Sequence, residues 1–140
     1  RKKKEDPVIK CQRLLLIIMI EDDSYIEKIR KYLSPDDFSN ELYKEILLKI
    51  YEKSALNIPL ESIIDEYADT ESYDNISGLF TASLSDEINL SEKRKIAEEN
   101  ILKLRQARLD ELSKHSTDIV QLQKIIHEQS KLKKEGISID

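Results

Sequence analysis

The sequence predicts an all-α protein, with a compact bundle of about six helices followed by a C-terminal hairpin of two helices. Only two glycines and three prolines occur in 140 residues, fewer turn residues than a sheet protein needs. Leu, Ile, Lys and Glu dominate the composition, and these residues favour helices. A run of seven apolar residues at 14–20 also interrupts a chain that is 36% charged. A helix without a polar face must be surrounded by protein, so this run predicts a helical core.

The apolar run belongs to the first helix, which we expect over residues 6–20. Asp6 is a good N-cap, and Pro7 fits the first helical position because its missing N–H costs nothing there. The run is too short to cross a bilayer, which takes about 20 apolar residues. It is therefore predicted to be the central helix of the bundle, with residues 1–5 as the end of a linker.

A second helix is expected to start at Ser24. Ser24 and Glu27 have the spacing of a capping box, in which each side chain satisfies the other residue's backbone N–H. Proline disfavours helical geometry in the residue before it, so Pro35 should end this helix. A short helical turn should then deliver Phe38 into the core. The apolar face of the second helix comprises Ile26, Ile29 and Leu33.

Three further helices complete the predicted bundle. Ser39 is expected to cap a helix at about residues 40–53, and Pro59 to open a short one. After a polar break at residues 68–71, another helix should contain Gly78 as a point of close packing. The buried faces of the first two are predicted to comprise Leu42, Ile46, Leu47, Ile50, Ile63, Ile64 and Tyr67. The third should hold Tyr73, Ile76, Leu79, Phe80 and Leu84.

From Ser91 the pattern predicts one long helix to about residue 114, without proline or glycine. It carries two apolar seams, which usually means two neighbours, so its first half should pack on the bundle and its second half on the following helix. A turn at residues 115–118 and a helix ending at Gly136 should complete the hairpin. We therefore divide the chain into a bundle at 6–104 and a hairpin at 105–140.

The last helix has more apolar residues than one neighbour can cover. Ile125 and Ile126 are adjacent, so they point about 100° apart on a helix. A pair of helices this small rarely forms a self-sufficient core. Either one isoleucine is left for a partner protein, or the hairpin folds back onto the bundle and covers everything internally.

No catalytic or metal-binding pattern is found, and we expect neither enzymatic activity nor a cofactor. Cys11 lies within the core helix and His115 and His127 lack further ligands at metal spacing. The paired carboxylates at 22–23 and 36–37 stand at helix starts, where they cap backbone amides. One cysteine excludes an internal disulfide, which favours a reducing compartment.

The charge is uneven along the chain. Residues 1–90 hold 12 basic and 19 acidic residues, whereas residues 91–140 hold 11 and 9. Phosphates need a basic surface, so the acidic first part argues against a nucleic-acid-binding module.

Three stretches resemble the C-terminal helicase-binding domain of bacterial DnaG-type replicative primases. The first is RLLL at 13–16, in an aliphatic helix that ends in acidic residues. The second and most specific is LSPDDFSN at 33–40, followed by LYKEI at 42–46. The third is ENILKLR at 99–105, ahead of a final helix rich in Leu, Ile and Lys. The resemblance covers about residues 7–134.

The resemblance implies a cytoplasmic, bacterial replication protein whose bundle stimulates the hexameric DnaB-type helicase and whose hairpin anchors it to the helicase's N-terminal collar. The catalytic and zinc-binding domains of a primase are not in this chain. We expect no direct contact with nucleic acid or membrane, and weak self-association through the hairpin. The residues expected to contact the helicase are Leu109, Leu112, Ile119, Leu122, Ile125, Ile126, Gln129 and Lys133.

A second interpretation is the N-terminal collar domain of the replicative helicase itself. That domain shares the SPxDF stretch and a similar bundle, and it self-associates. The last fifty residues fit the primase domain better.

Overall fold

The computed structural model describes residues 4–82 and 90–139, and all regular structure within them is helical, as predicted. Short 3₁₀ turns span Pro35–Asp37 and Leu90–Glu92. Leu84, expected in the core, lies outside the described residues. The α-helices are α1 (Pro7–Glu21), α2 (Ser24–Arg30), α3 (Glu41–Ala55), α4 (Ser62–Glu66), α5 (Tyr73–Thr81), α6 (Lys93–His115) and α7 (Ile119–Glu135).

Helix α1 is the centre of the bundle, which confirms the prediction from its apolar run. It packs against α2, α3, α5 and α6, and its residues from Leu14 to Met19 are all buried. The side chain of Asp6 caps it by accepting hydrogen bonds from the N–H groups of Val8 and Ile9 at 2.8 and 3.3 Å. The apolar segment at residues 14–19 is thus covered on every side.

One of the buried residues of α1 is polar. Gln12 is fully buried, with 0% of its surface exposed. Its Nε2 donates to Ser39 Oγ at 2.9 Å and its Oε1 accepts from the Asn40 N–H at 3.1 Å. Both halves of the amide are therefore satisfied, as burial requires, and α1 is joined to the start of α3.

The turn between α2 and α3 forms as the sequence predicts. The 3₁₀ turn Pro35–Asp37 follows Ser34, and Phe38 is buried with 2% of its surface exposed. Asp37 Oδ2 accepts from the Ser34 N–H at 2.9 Å, which closes the turn. Of the two carboxylates at this helix start, Asp37 thus caps a backbone amide as expected, whereas Asp36 Oδ1 lies 3.3 Å from Lys44 Nζ.

Two caps and one packing prediction were wrong. Ser24 does not cap α2, because Asp22 Oδ1 accepts both its N–H at 3.1 Å and its hydroxyl at 2.6 Å. Asn40, and not Ser39, caps α3 by accepting from the Tyr43 N–H. The Ser39 hydroxyl instead accepts the hydrogen bond from Gln12 Nε2. Gly78 is not a close-packing point, since an added Cβ would meet nothing within 4 Å.

Helix α6 joins the bundle to the hairpin. Its first half contributes Ala97, Ile101 and Leu104 to the bundle core, each at most 1% exposed. Its start is tied to the end of α1 by Lys93 Nζ, which lies 2.9 Å from Asp22 Oδ2. The second half packs against α7, so both apolar seams have the neighbours that the sequence predicts.

The chain turns back after α7, which the sequence analysis did not anticipate. Gly136 ends the helix as expected, with a φ of +66°. Ile137 is partly buried against the bundle core, and Ile139 lies within it at 3% exposure. The residues after α7 therefore pack on the bundle.

None of the helices in the described ranges combines the length and the apolar character that crossing a bilayer demands.

Candidate protein-interaction surface

The apolar residues of α7 divide between two faces. Leu132 is buried, and Leu122 and Ile125 are half-buried on the side that α6 covers. Ile119 and Ile126 are 72% and 51% exposed. They lie seven residues apart, which is almost two full turns, and so share one side of the helix. Of the two adjacent isoleucines, Ile126 is thus exposed and Ile125 is half-buried.

Two further apolar residues are exposed near the tip of the hairpin. Val120 is 59% exposed and Leu112 is 39% exposed. Leu112 lies in the last turn of α6, and the others lie in the first two turns of α7. We call Leu112, Ile119, Val120 and Ile126 the tip surface. Val120 was missed by the sequence analysis, although its adjacency to Ile119 carries the same signal as the pair Ile125–Ile126.

The remaining predicted contact residues are placed differently. Leu109 is buried, with 5% of its surface exposed. Gln129 is half-buried, and its Nε2 donates to Asp110 Oδ1 at 3.0 Å, which links α7 to α6. Lys133 is exposed. In this conformation Leu109 is inaccessible to a partner, Gln129 contacts α6, and Lys133 is accessible.

The tip surface has a polar border. Val120 lines a shallow cavity of about 540 Å³ on α7, together with Gln123, Lys124, His127 and Glu128. On α6, His115 Nε2 lies 2.8 Å from Glu111 Oε1, and both side chains are exposed. An apolar centre with an accessible polar rim is the usual anatomy of a protein–protein contact.

Arg105 connects the bundle, the long helix and the last helix. Its Nη1 lies 3.3 Å from Oδ1 of the buried Asp37, and its Nη2 lies 4.0 Å from Glu128 Oε1. Asp37 belongs to the stretch 33–40 and Arg105 to the stretch 99–105, so the two motifs meet here. The sequence analysis quoted both stretches but gave neither residue this role, because the contact joins distant parts of the chain.

The groups that could carry chemistry have structural partners. Burial raises the pKa of the Cys11 thiol, which keeps it protonated. Hydrogen bonds from Ser24 and then Lys93 lower the pKa of Asp22 to about 2. Tyr51 is buried, and its hydroxyl donates to the Leu33 carbonyl at 2.9 Å. Within residues 4–82 and 90–139, no group of three or more His, Cys, Asp or Glu could hold a metal ion.

Exposed apolar side chains in the described part of the chain therefore lie at the tip surface of the hairpin and also in the bundle, at Leu48, Leu56, Ile58 and Tyr73. No protein-family model, no characterised protein and no solved structure matches this sequence.

Proposed function

We propose that this chain is a non-catalytic interaction domain of a bacterial DnaG-type replicative primase. In this proposal it docks on the N-terminal collar of the hexameric replicative helicase, stimulates the helicase and couples primer synthesis to unwinding. The observation that carries the proposal is the tip surface, where Ile119 and Ile126 stay exposed although α7 has α6 as its neighbour. The motif LSPDDFSN at 33–40 supports the choice of family.

The amount of exposed apolar surface limits what the tip alone can contribute. The exposed fractions of the four tip residues add up to about two complete side chains. At about 1.5–3 kcal/mol for each buried side chain, they supply roughly 3–6 kcal/mol before the costs of association. Micromolar binding needs about 8 kcal/mol. The hairpin therefore needs a second contact, and a bundle that also touches the helicase fits this requirement.

Calorimetry with the cognate hexameric helicase tests the proposal. We expect Ile126→Asp to weaken binding at least about tenfold, because a charge replaces one of the four exposed apolar residues of the tip surface. Ile126 is half exposed, so the variant should unfold at nearly the same temperature as the wild type.

Gln121→Asp is the matched control. Gln121 is exposed on α7 and lies about 200° around the helix from Ile119, so it receives the same charge away from the tip surface. It should bind like the wild type. Equal affinities of the two variants would place the docking surface elsewhere, and the absence of any complex would overturn the proposal.

The helicase-collar interpretation makes a different prediction about the isolated chain. The SPxDF stretch is shared by both families, and a collar domain requires a ring or a dimer of dimers without any partner. Light scattering measures the mass in solution directly. A monomer, or a weak dimer that dissociates on dilution, supports the primase interpretation, whereas a stable hexamer supports the collar.

A further inference from the structure

The last described residues, 136–139, connect the end of α7 to the bundle by apolar packing and by two hydrogen bonds. Ile139 is 3% exposed and packs in the bundle core, with Ile137 beside it. The Tyr32 hydroxyl donates to the Ser138 carbonyl at 2.5 Å. The Ile139 N–H donates to Glu98 Oε2 at 2.9 Å. The segment therefore bridges α7, the residues after α2 and the first half of α6.

Gly136 makes this return possible. Its φ of +66° and ψ of −159° lie in a region that is essentially restricted to glycine, and other residues there cost about 1–3 kcal/mol. An added Cβ would meet nothing within 4 Å. A substitution at Gly136 therefore acts through backbone conformation alone and not through a clash.

Apart from residues 136–139, α7 is attached to α6 by the half-buried Leu122 and Ile125 and by polar contacts near the surface. Leu132 is its only buried residue in the described part of the chain. The hydrogen bond between Gln129 and Asp110 is exposed, and the charged groups of Arg105 and Glu128 are 4.0 Å apart. Surface pairs of this kind contribute about 0–1 kcal/mol. Burial of Ile139 is thus a major attachment of the whole helix.

We propose that residues 136–139 form a strap that determines whether α7 stays docked on α6. With the strap closed, α7 is held in one position and the tip surface is rigid. With the strap open, α7 detaches as a unit while the bundle remains folded, as locally stabilised segments of proteins do. The proposal concerns this chain alone and holds whatever the tip surface binds.

Hydrogen exchange of the Gly136→Ala variant tests the strap without any partner. Because alanine strongly disfavours the observed backbone conformation, we expect exchange of the α7 amides, at residues 123–135, to become about tenfold faster. The amides of Leu15, Leu16 and Ile18 in α1 should keep their wild-type rates. The same change at the other glycine, Gly78→Ala, adds an identical methyl group in open space and should leave α7 unaffected.

Ile139 provides an independent test through the buried side chain. Ile139→Ala should also accelerate exchange in α7 selectively, because it removes most of the buried contact but adds no charge. Acceleration of α1 and α7 by the same factor, in either variant, would show that residues 136–139 are ordinary core and would overturn the proposal. Unchanged exchange in α7 in the Gly136→Ala variant would also overturn it.

Discussion

Helices α1 and α7 are similar in length and rich in the same aliphatic residues, but they use them differently. The 15 residues of α1 include eight that are buried, whereas the 17 residues of α7 include one. In α1 the isoleucines and leucines hold the fold together. In α7 those near the tip remain exposed, so they contribute little to stability and are available to a partner. Residue type alone does not separate these two roles, and the number of neighbouring helices does.

The largest effect should come from shortening a core side chain of α1. Ile18 is 0% exposed, and replacement of a buried isoleucine by alanine typically costs 2–5 kcal/mol. We expect Ile18→Ala to lower the free energy of unfolding by about 3 kcal/mol in urea titrations. Ile126→Ala removes the same atoms from an exposed position and should change stability by less than about 0.5 kcal/mol. Equal losses would contradict the distinction between the two helices.

A smaller effect is expected where the bundle and the hairpin meet. Arg105→Met keeps most of the side-chain stem but leaves the buried carboxylate of Asp37 without its cation. An uncompensated buried charge is destabilising, and we expect a loss of about 1–2 kcal/mol, since Asp37 keeps its hydrogen bond from Ser34.

The variant Asp37→Asn completes a double-mutant cycle with Arg105→Met. Because asparagine carries no charge, loss of the arginine should cost less in its presence. We expect a coupling energy of about 1 kcal/mol, measured by urea unfolding of all four proteins. A coupling near zero would mean that the 3.3 Å contact between Arg105 and Asp37 contributes nothing to the junction.

The smallest effect should appear in the dependence of stability on pH. The folded-state pKa of Asp22 is lowered from 3.8 to about 2, first by Ser24 and then by Lys93. A lowered pKa stabilises the fold above the unfolded value and loses that contribution as pH falls through the folded one. Stability should therefore decline by about 1 kcal/mol between pH 4 and pH 2, allowing for solvent screening.

Asp22→Asn should flatten that decline, because asparagine does not titrate. Urea unfolding of both proteins at several pH values between 2 and 5 measures the difference. An identical slope in the variant would assign the acid sensitivity to other carboxylates.

The sequence was sufficient for the helices and for most of the core. A run of seven apolar residues fits either a buried helix or a buried strand, and the N-cap and proline before it, with the scarcity of turn residues, favour the helix. Pro35 disfavours helical geometry at Ser34, so α1 and the turn into Phe38 were predicted correctly. Capping was harder, because Ser39 and Asn40 are adjacent and chemically equivalent as N-caps. The choice depends on Gln12, which is distant in sequence and whose Nε2 donates a hydrogen bond to the Ser39 hydroxyl.

The candidate surface was only partly predictable for a similar reason. Adjacent isoleucines at 125 and 126 indicate an uncovered face, because helical geometry alone separates them. The return of Ile139 to the core gives no periodic signal, since it is a single residue a short distance after a glycine. The contact of Arg105 with Asp37 is equally invisible, because it depends on how α6 crosses the bundle.

The buried amide of Gln12 has a consequence for how α1 is oriented. A helical segment with apolar side chains on every side buries almost the same apolar area at any rotation about its axis. Rotation by a single residue step would take the buried amide of Gln12 away from Ser39 and Asn40, at about 1–3 kcal/mol for each hydrogen bond that the buried group no longer makes. One glutamine thus selects a single rotational setting for the helix on which every other element is assembled.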